Sequence, residues 1–132
     1  MTLHASAALL ATAILFGGMV LFSFAFAAFL FSQLPAEQAG SLLRRAFPYF
    51  YLWVIALAGV AAVLHLDLDQ GSAVWLAGVA ATTVPARQQL MPAINAATDA
   101  GDKSRFNRLH GASVVLGLLQ ILAVAYVLLR FL

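Results

Sequence analysis

Few side chains in this sequence could do chemistry, and they fall into three groups. His4 and His65 flank apolar stretches at positions that put both at one end of a helical hairpin. Two neutral imidazoles brought from different helices suit the axial pair of a b-type haem, or ligands for a Cu or Zn ion to which Asp67 and Asp69 could add oxygens. The plainer alternative leaves both rings in a lipid headgroup layer. His110 belongs to a second group, with Asn107 one helical turn before it. At the same depth lie Arg87, Gln88 and Gln89 near the end of the third apolar stretch, with Asn95, Arg44, Arg45 and Asp99 close by. Such a set can hold an anionic group, because arginine presents a planar fork to carboxylate or phosphate. It can equally tie helix ends together and reach out to anionic lipid headgroups. The third group is Gln120 alone, in the middle of the last apolar stretch, where an amide needs a partner on another helix, expected at Thr82, Thr83 or Ser23.

The elements that must position these residues follow from composition. Of 132 residues, 64% are apolar and 9% charged, against about 45–50% and 25% in soluble domains. A water-soluble globule is thereby excluded. Four apolar stretches, residues 5–31, 47–64, 72–90 and 109–129, are each close to the about 20 residues that a membrane-crossing helix needs. A signal peptide is the competing reading of the first stretch. It is too long for one and has no basic region before it. None of the four alternates with a period of two, so helices are the spanning solution, each satisfying its own backbone hydrogen bonds. The expected fold is an all-α, integral membrane four-helix bundle forming a single transmembrane domain over residues 1–132. A short interfacial helix is expected at 35–46, opening with Pro35 and Glu37 and closing with Arg44 and Arg45. Pro48 would then open the second span, as suits a first helical turn. Thr98, Asp99 and Gly101 supply turn chemistry before Asp102, a candidate cap for the last helix.

Orientation follows from the connections. Six of the seven basic residues lie in or beside the two connections after the first and third spans. The connection between spans two and three, residues 65–71, has no Lys or Arg. The positive-inside bias then places both termini outside and the basic connections in the cytoplasm, in what is expected to be a bacterial inner membrane. The expected partners are the lipid bilayer and either a second copy or another membrane protein.

Several function classes are absent from the pattern. No Walker loop, dinucleotide fingerprint, HExxH or GxSxG motif occurs. All five acidic residues lie in connections, which disfavours a proton relay through the core. No basic stripe interleaved with aromatics suggests nucleic acid. Without cysteine there is neither a disulfide nor a thiolate metal site. The expectation is a non-enzymatic membrane protein whose basic-side polar cluster fixes packing or binds a partner or anionic lipid. Haem or metal binding and a small transporter are the alternatives.

Five motifs in order, FGGMVLFSF (16–24), LPAEQAG (34–40), FPYFY (47–51), NAATD (95–99) and FNRLHGAS (106–113), resemble the bacterial membrane proteins related to animal transmembrane protein 205. That family has no assigned activity. The resemblance implies a four-helix membrane domain and gives weight to Pro35, Gly40, Arg87, Asn95, His110 and Ser113. The chain departs from the family pattern at Ala28 and Gly117, where proline and asparagine are usual. More remotely, the layout is similar to CopD-type copper-resistance proteins and HemJ-type protoporphyrinogen oxidases, which implies that His4 is a haem ligand. The lysine that the HemJ pattern has early in the third helix is missing here.

Overall fold

Each rod of the fold starts at a residue suited to starting a helix. In the computed structural model, which describes residues 1–132, Thr2 caps α1 (Leu3–Val20) by accepting from the Ala5 N–H. A π-helical segment, Leu21–Phe26, carries α1 into α2 (Ala27–Gln33). Pro35 precedes α3 (Ala36–His65), and Asp69 precedes α4 (Gln70–Pro85). A second π-segment, Ala86–Leu90, joins α4 to α5 (Met91–Asp99). Gly101, the one residue at positive φ (69°), turns the chain so that Asp102 caps α6 (Lys103–Leu129) through the Arg105 N–H. Glycine suits that turn because it has no Cβ to clash in the left-handed region.

The structure corrects one expected element. Residues 35–46 are no separate interfacial helix: they form the first turns of the 30-residue α3, with Pro48 in its interior rather than at its start. At about 1.5 Å per residue this helix is roughly 45 Å long, longer than the about 30 Å hydrocarbon core of a bilayer. The helix of the stretch at 72–90 runs on through the second π-segment to Asp99. Pro85 accounts for the interruption, having no N–H to give and a ring that crowds the preceding turn. The result is four antiparallel rods. Three of them, Leu3–Gln33, Ala36–His65 and Lys103–Leu129, are long and apolar enough to cross a membrane.

Packing inverts the arrangement of a soluble bundle. Only 24 of the 132 residues are buried, and most of these are small or medium-sized. The main core joins Ala11, Leu15 and Met19 of α1 to Val54, Ala58, Ala61 and Ala62 of α3. Leu76 and Val79 of α4 and Ile121, Val124 and Val127 of α6 complete it. Their spacing of three and four marks one stripe per helix. Leu10, Phe24, Phe29, Val60, Trp75, Leu119 and Leu122 face outward instead. Small residues inside let the helix backbones approach, and a large apolar exterior suits lipid as solvent. This core occupies the half of the bundle that carries Asp67 and Asp69, the acidic end. At the opposite, basic end a second cluster contains only Leu30, Ala39 and Leu43.

Candidate functional site

The polar floor of the site is built on two threonines. Thr82 Oγ1 donates to the Gly78 carbonyl (2.8 Å) and Thr83 Oγ1 to the Val79 carbonyl (2.7 Å), each one turn back in its own helix. Their oxygens can therefore still accept. Gln120 Nε2 crosses from α6 and donates to both, at 2.8 and 3.0 Å, so Gln120 finds two of the partners the sequence analysis expects. Because both hydroxyl protons are already committed, the amide nitrogen must face them, which leaves Oε1 without a protein donor. Gln120 is 8% exposed and lines a cavity of about 390 Å³.

That cavity runs from Gln120 toward the basic end. Its walls are apolar, formed by Met19, Phe47, Phe50, Met91, Ile94, Leu116 and Ile121, and its far end brings together Arg44 of α3, Asn95 of α5, and His110 and Ser113 of α6. Four apolar lining residues, Phe24, Phe31, Val114 and Leu118, are also exposed on the surface, so the cavity opens sideways between the first and fourth rods. A volume of this size lies within the range of small-molecule sites.

Both π-segments border the cavity, the first through Ser23 and Phe24 and the second through Ala86. π-bulges recur at functional positions because the extra residue per turn displaces the helix locally. The first π-segment meets α3 through its side chains: Phe22 stacks on Phe50 (4.1 Å between centroids, 9° between planes) and stands edge-on to Phe47 (5.1 Å). Beyond Phe22 lies a wider apolar groove of about 890 Å³ between the first and second rods, lined by Gly18, Phe26, Phe29, Tyr49 and Trp53 among others. Trp53 lies directly on Gly18, where a Cβ would come within 2.1 Å of the indole.

Six of the residues grouped by sequence at the basic end divide into two sets. Arg44, Asn95 and His110 line the cavity. Arg44 also grips Asp99 with both terminal nitrogens, at 2.7 and 2.9 Å. His110 stacks on Phe106, one turn back (5.2 Å, 7°). Arg87, by contrast, fastens the second π-segment to α3, donating from Nε to the Pro48 carbonyl (3.1 Å) and from a terminal nitrogen to Gln88 Oε1 (3.2 Å). Gln88 and Asn107 are exposed and line neither cavity. Tyr51 and Ser23 also line the cavity. Ser23 was expected only as a partner for Gln120, which bonds Thr82 and Thr83 instead, and Tyr51 sits in a stretch that reads as aromatic packing, so no sequence signal marked it as a cavity residue.

The acidic end brings its two histidines together without making a ligand set. His4 Nε2 donates to the Leu64 carbonyl (2.8 Å). His65 is buried, donates from Nδ1 to the Ala61 carbonyl (2.8 Å), and packs edge-on against Phe131 (5.5 Å), leaving Nε2 without a partner. No group of three His, Cys, Asp or Glu residues could hold a metal ion, and neither cavity is lined by His4 or His65. These residues do not fit a haem: one ring's Nε2 is engaged by main chain and the other is covered by Phe131. Asp69 instead pairs with Arg130, which donates from Nε and a terminal nitrogen to its two oxygens, and it accepts from Ser72 Oγ at 2.6 Å. The Arg130 and Ser72 hydrogen bonds hold the Asp69 carboxyl far below the usual carboxylate range. The hydrogen bonds from Arg44 hold Asp99 low as well.

Compared with known proteins, residues 10–103 match the profile of a domain of unknown function, DUF4149. The chain belongs to the DUF4149 family. No curated protein and no solved structure matches it. The resemblance read from the five motifs is thus supported as far as DUF4149, while the finer likeness to transmembrane protein 205 rests on the motifs alone and that to CopD or HemJ on the layout alone. The DUF4149 region contains Ser23, Arg44, Tyr51 and Asn95 of the cavity. The remaining wall, with His110, Ser113 and Gln120, is supplied by α6 beyond it.

Proposed function

We propose that this chain is a non-enzymatic integral membrane protein of the bacterial inner membrane whose basic-end cavity binds an amphipathic molecule drawn from the bilayer. The observation that carries the reading is one cavity with apolar walls, a sideways opening between the first and fourth rods, and polar groups at both ends, Gln120 at the deep end and Arg44, Asn95, His110 and Ser113 at the other. A few placed polar groups in an apolar cleft are what orient a small amphiphile. The positive-inside bias supports an orientation with this end in the cytoplasm and both termini outside, so the opening would meet the inner leaflet. A transport path is disfavoured because the packed core around Leu15, Val54, Leu76 and Val124 lies beyond Gln120.

Photo-crosslinking in nanodiscs with a diazirine-bearing single-chain amphiphile tests this. Labelling is expected on Phe24, Phe47 or residues 114–118, and Gly117→Phe should suppress it, since a side chain there enters open space. Labelling confined to outward residues such as Leu10 and Val60, or unchanged in Gly117→Phe, would refute the reading.

A further inference from the structure

The Arg44–Asp99 pair lies at the polar end of the cavity, and its geometry says more about the ligand than the cavity walls do. Arg44 is a lining residue, whereas Asp99 is not. Asp99 reaches in from the last position of α5, immediately before the Gly101 turn. It presents two coplanar oxygens to the two terminal nitrogens of the guanidinium, at 2.7 and 2.9 Å. A carboxylate of the protein thus already occupies the fork that a ligand's anionic head would use.

Resting on the proposed binding role, we infer that the cavity takes a single-chain amphiphile with a two-oxygen anionic head, carboxylate or phosphate, and that Asp99 is a built-in competitor for that head. Three further observations point the same way. Asn95 lies one turn before Asp99 on α5, so the helix that carries the competitor also carries an amide into the cavity. His110 and Ser113, three residues apart on α6, add hydrogen-bonding groups opposite. The basic end holds Arg44, Arg45, Arg87, Lys103, Arg105 and Arg108 against Glu37, Asp99 and Asp102, an excess that draws anions toward that end.

Exchange at Arg44 is within reach because the internal pair is weak. Both side chains are substantially exposed, 43% and 61%, and exposed pairs contribute little. A head arriving with its chain in the apolar cavity brings chain burial that Asp99 lacks. When the head replaces Asp99, the end of α5 loses its tie to α3, so occupancy of the cavity is transmitted to the turn at Gly101.

The experiment is native mass spectrometry of the full chain released from detergent micelles, titrated separately with oleate, oleyl alcohol and oleoyl lysophosphatidic acid, a single-chain phosphate. Oleate is expected to bind the wild type more tightly than the alcohol does. Asp99→Asn should tighten oleate by about three- to fivefold, the scale of an exposed ion pair, and leave the alcohol unchanged. Arg44→Gln should bring oleate down to the level of the alcohol. Asp99→Ser serves as a second variant should Asp99→Asn fail to fold. Binding of oleate but not of lysophosphatidic acid assigns the site to a free acid, and the reverse assigns it to a lipid phosphate; both support the inferred head chemistry. If oleate binds the wild type but Asp99→Asn and Asp99→Ser leave it unchanged or weaker, the competitor role is overturned while the cavity reading stands. If none of the three amphiphiles binds any form, both fall.

Discussion

The acidic and basic halves of this bundle are made from the same four rods, yet one is packed and the other hollow. In the acidic half, Ala58, Ala61 and Ala62 let α3 close on its neighbours, and Leu15, Leu76, Val124 and Val127 fill the space between. In the basic half, the two π-segments interrupt the first and third rods, and aromatic rings rather than backbones make the contacts. The ion pairs at the two ends differ in the same sense. Asp69 is held by Arg130 and again by Ser72, and the Arg130 guanidinium lies 5.6 Å from the Tyr126 ring. Asp99 has Arg44 alone among side chains. The comparison teaches that one end is built to stay closed while the other retains space and an exchangeable contact.

The largest expected difference comes from adding volume to each half. Ala58→Leu should destabilise by about 1–3 kcal/mol, because the site is fully buried and the core has no room. Gly117→Leu, where a Cβ meets nothing within 4 Å, should unfold within about 0.5 kcal/mol of the wild type. Reversible unfolding in mixed micelles measures both, and equal losses would erase the distinction between the halves. Next comes the floor where the halves meet: Gln120→Leu should cost about 0.6–2 kcal/mol, since the bonds to Thr82 and Thr83 disappear. The loss stays limited because both threonines keep their own carbonyl acceptors.

Two adjacent glycines give a narrower contrast. Gly18→Ala would drive a methyl into Trp53 and should cost about 1 kcal/mol. Gly17→Ala meets nothing and should be neutral or gain within about 1 kcal/mol, alanine being the better helix former. The smallest effect is in acid. Both aspartates are depressed, so each pair contributes above the ordinary carboxylate range, near pH 4, and that contribution is lost as pH falls through the folded-state value. Asp99, held by Arg44 alone, should let go before Asp69, which Ser72 holds as well, releases Arg130. Carboxylate NMR shifts read during an acid titration check the order, and simultaneous release would contradict it.

Much of the helical plan was legible in the residues themselves. The apolar stretches, the Gly101 turn, the Asp102 cap and the pairing of Gln120 with Thr82 and Thr83 all follow from local rules or from the cost of an unpaired amide in an apolar setting. Reading Pro48 as a helix start failed, because a proline can also sit inside a long helix whose flanking turns are held by packing and by contacts such as Arg87 to its carbonyl. The basic-end residues could be grouped by depth, but their division could not be read. Depth along a helix comes from counting residues, whereas facing inward depends on rotation about the axis.

By its composition and spacing alone, the chain determined that it would be helical, apolar on nearly every face and basic at one end. Those properties are sums over residues and need no partner to be defined. Tertiary structure alone decided that Arg44 would meet Asp99, that Arg130 would meet Asp69, that His4 would give its ring to a carbonyl rather than to His65, and that a cavity would lie beside the π-segments. A helix that is apolar all round carries little information about which face turns inward. The rotations and relative heights of the rods are set only when small residues on neighbouring helices find one another, and the polar contacts follow from that fit.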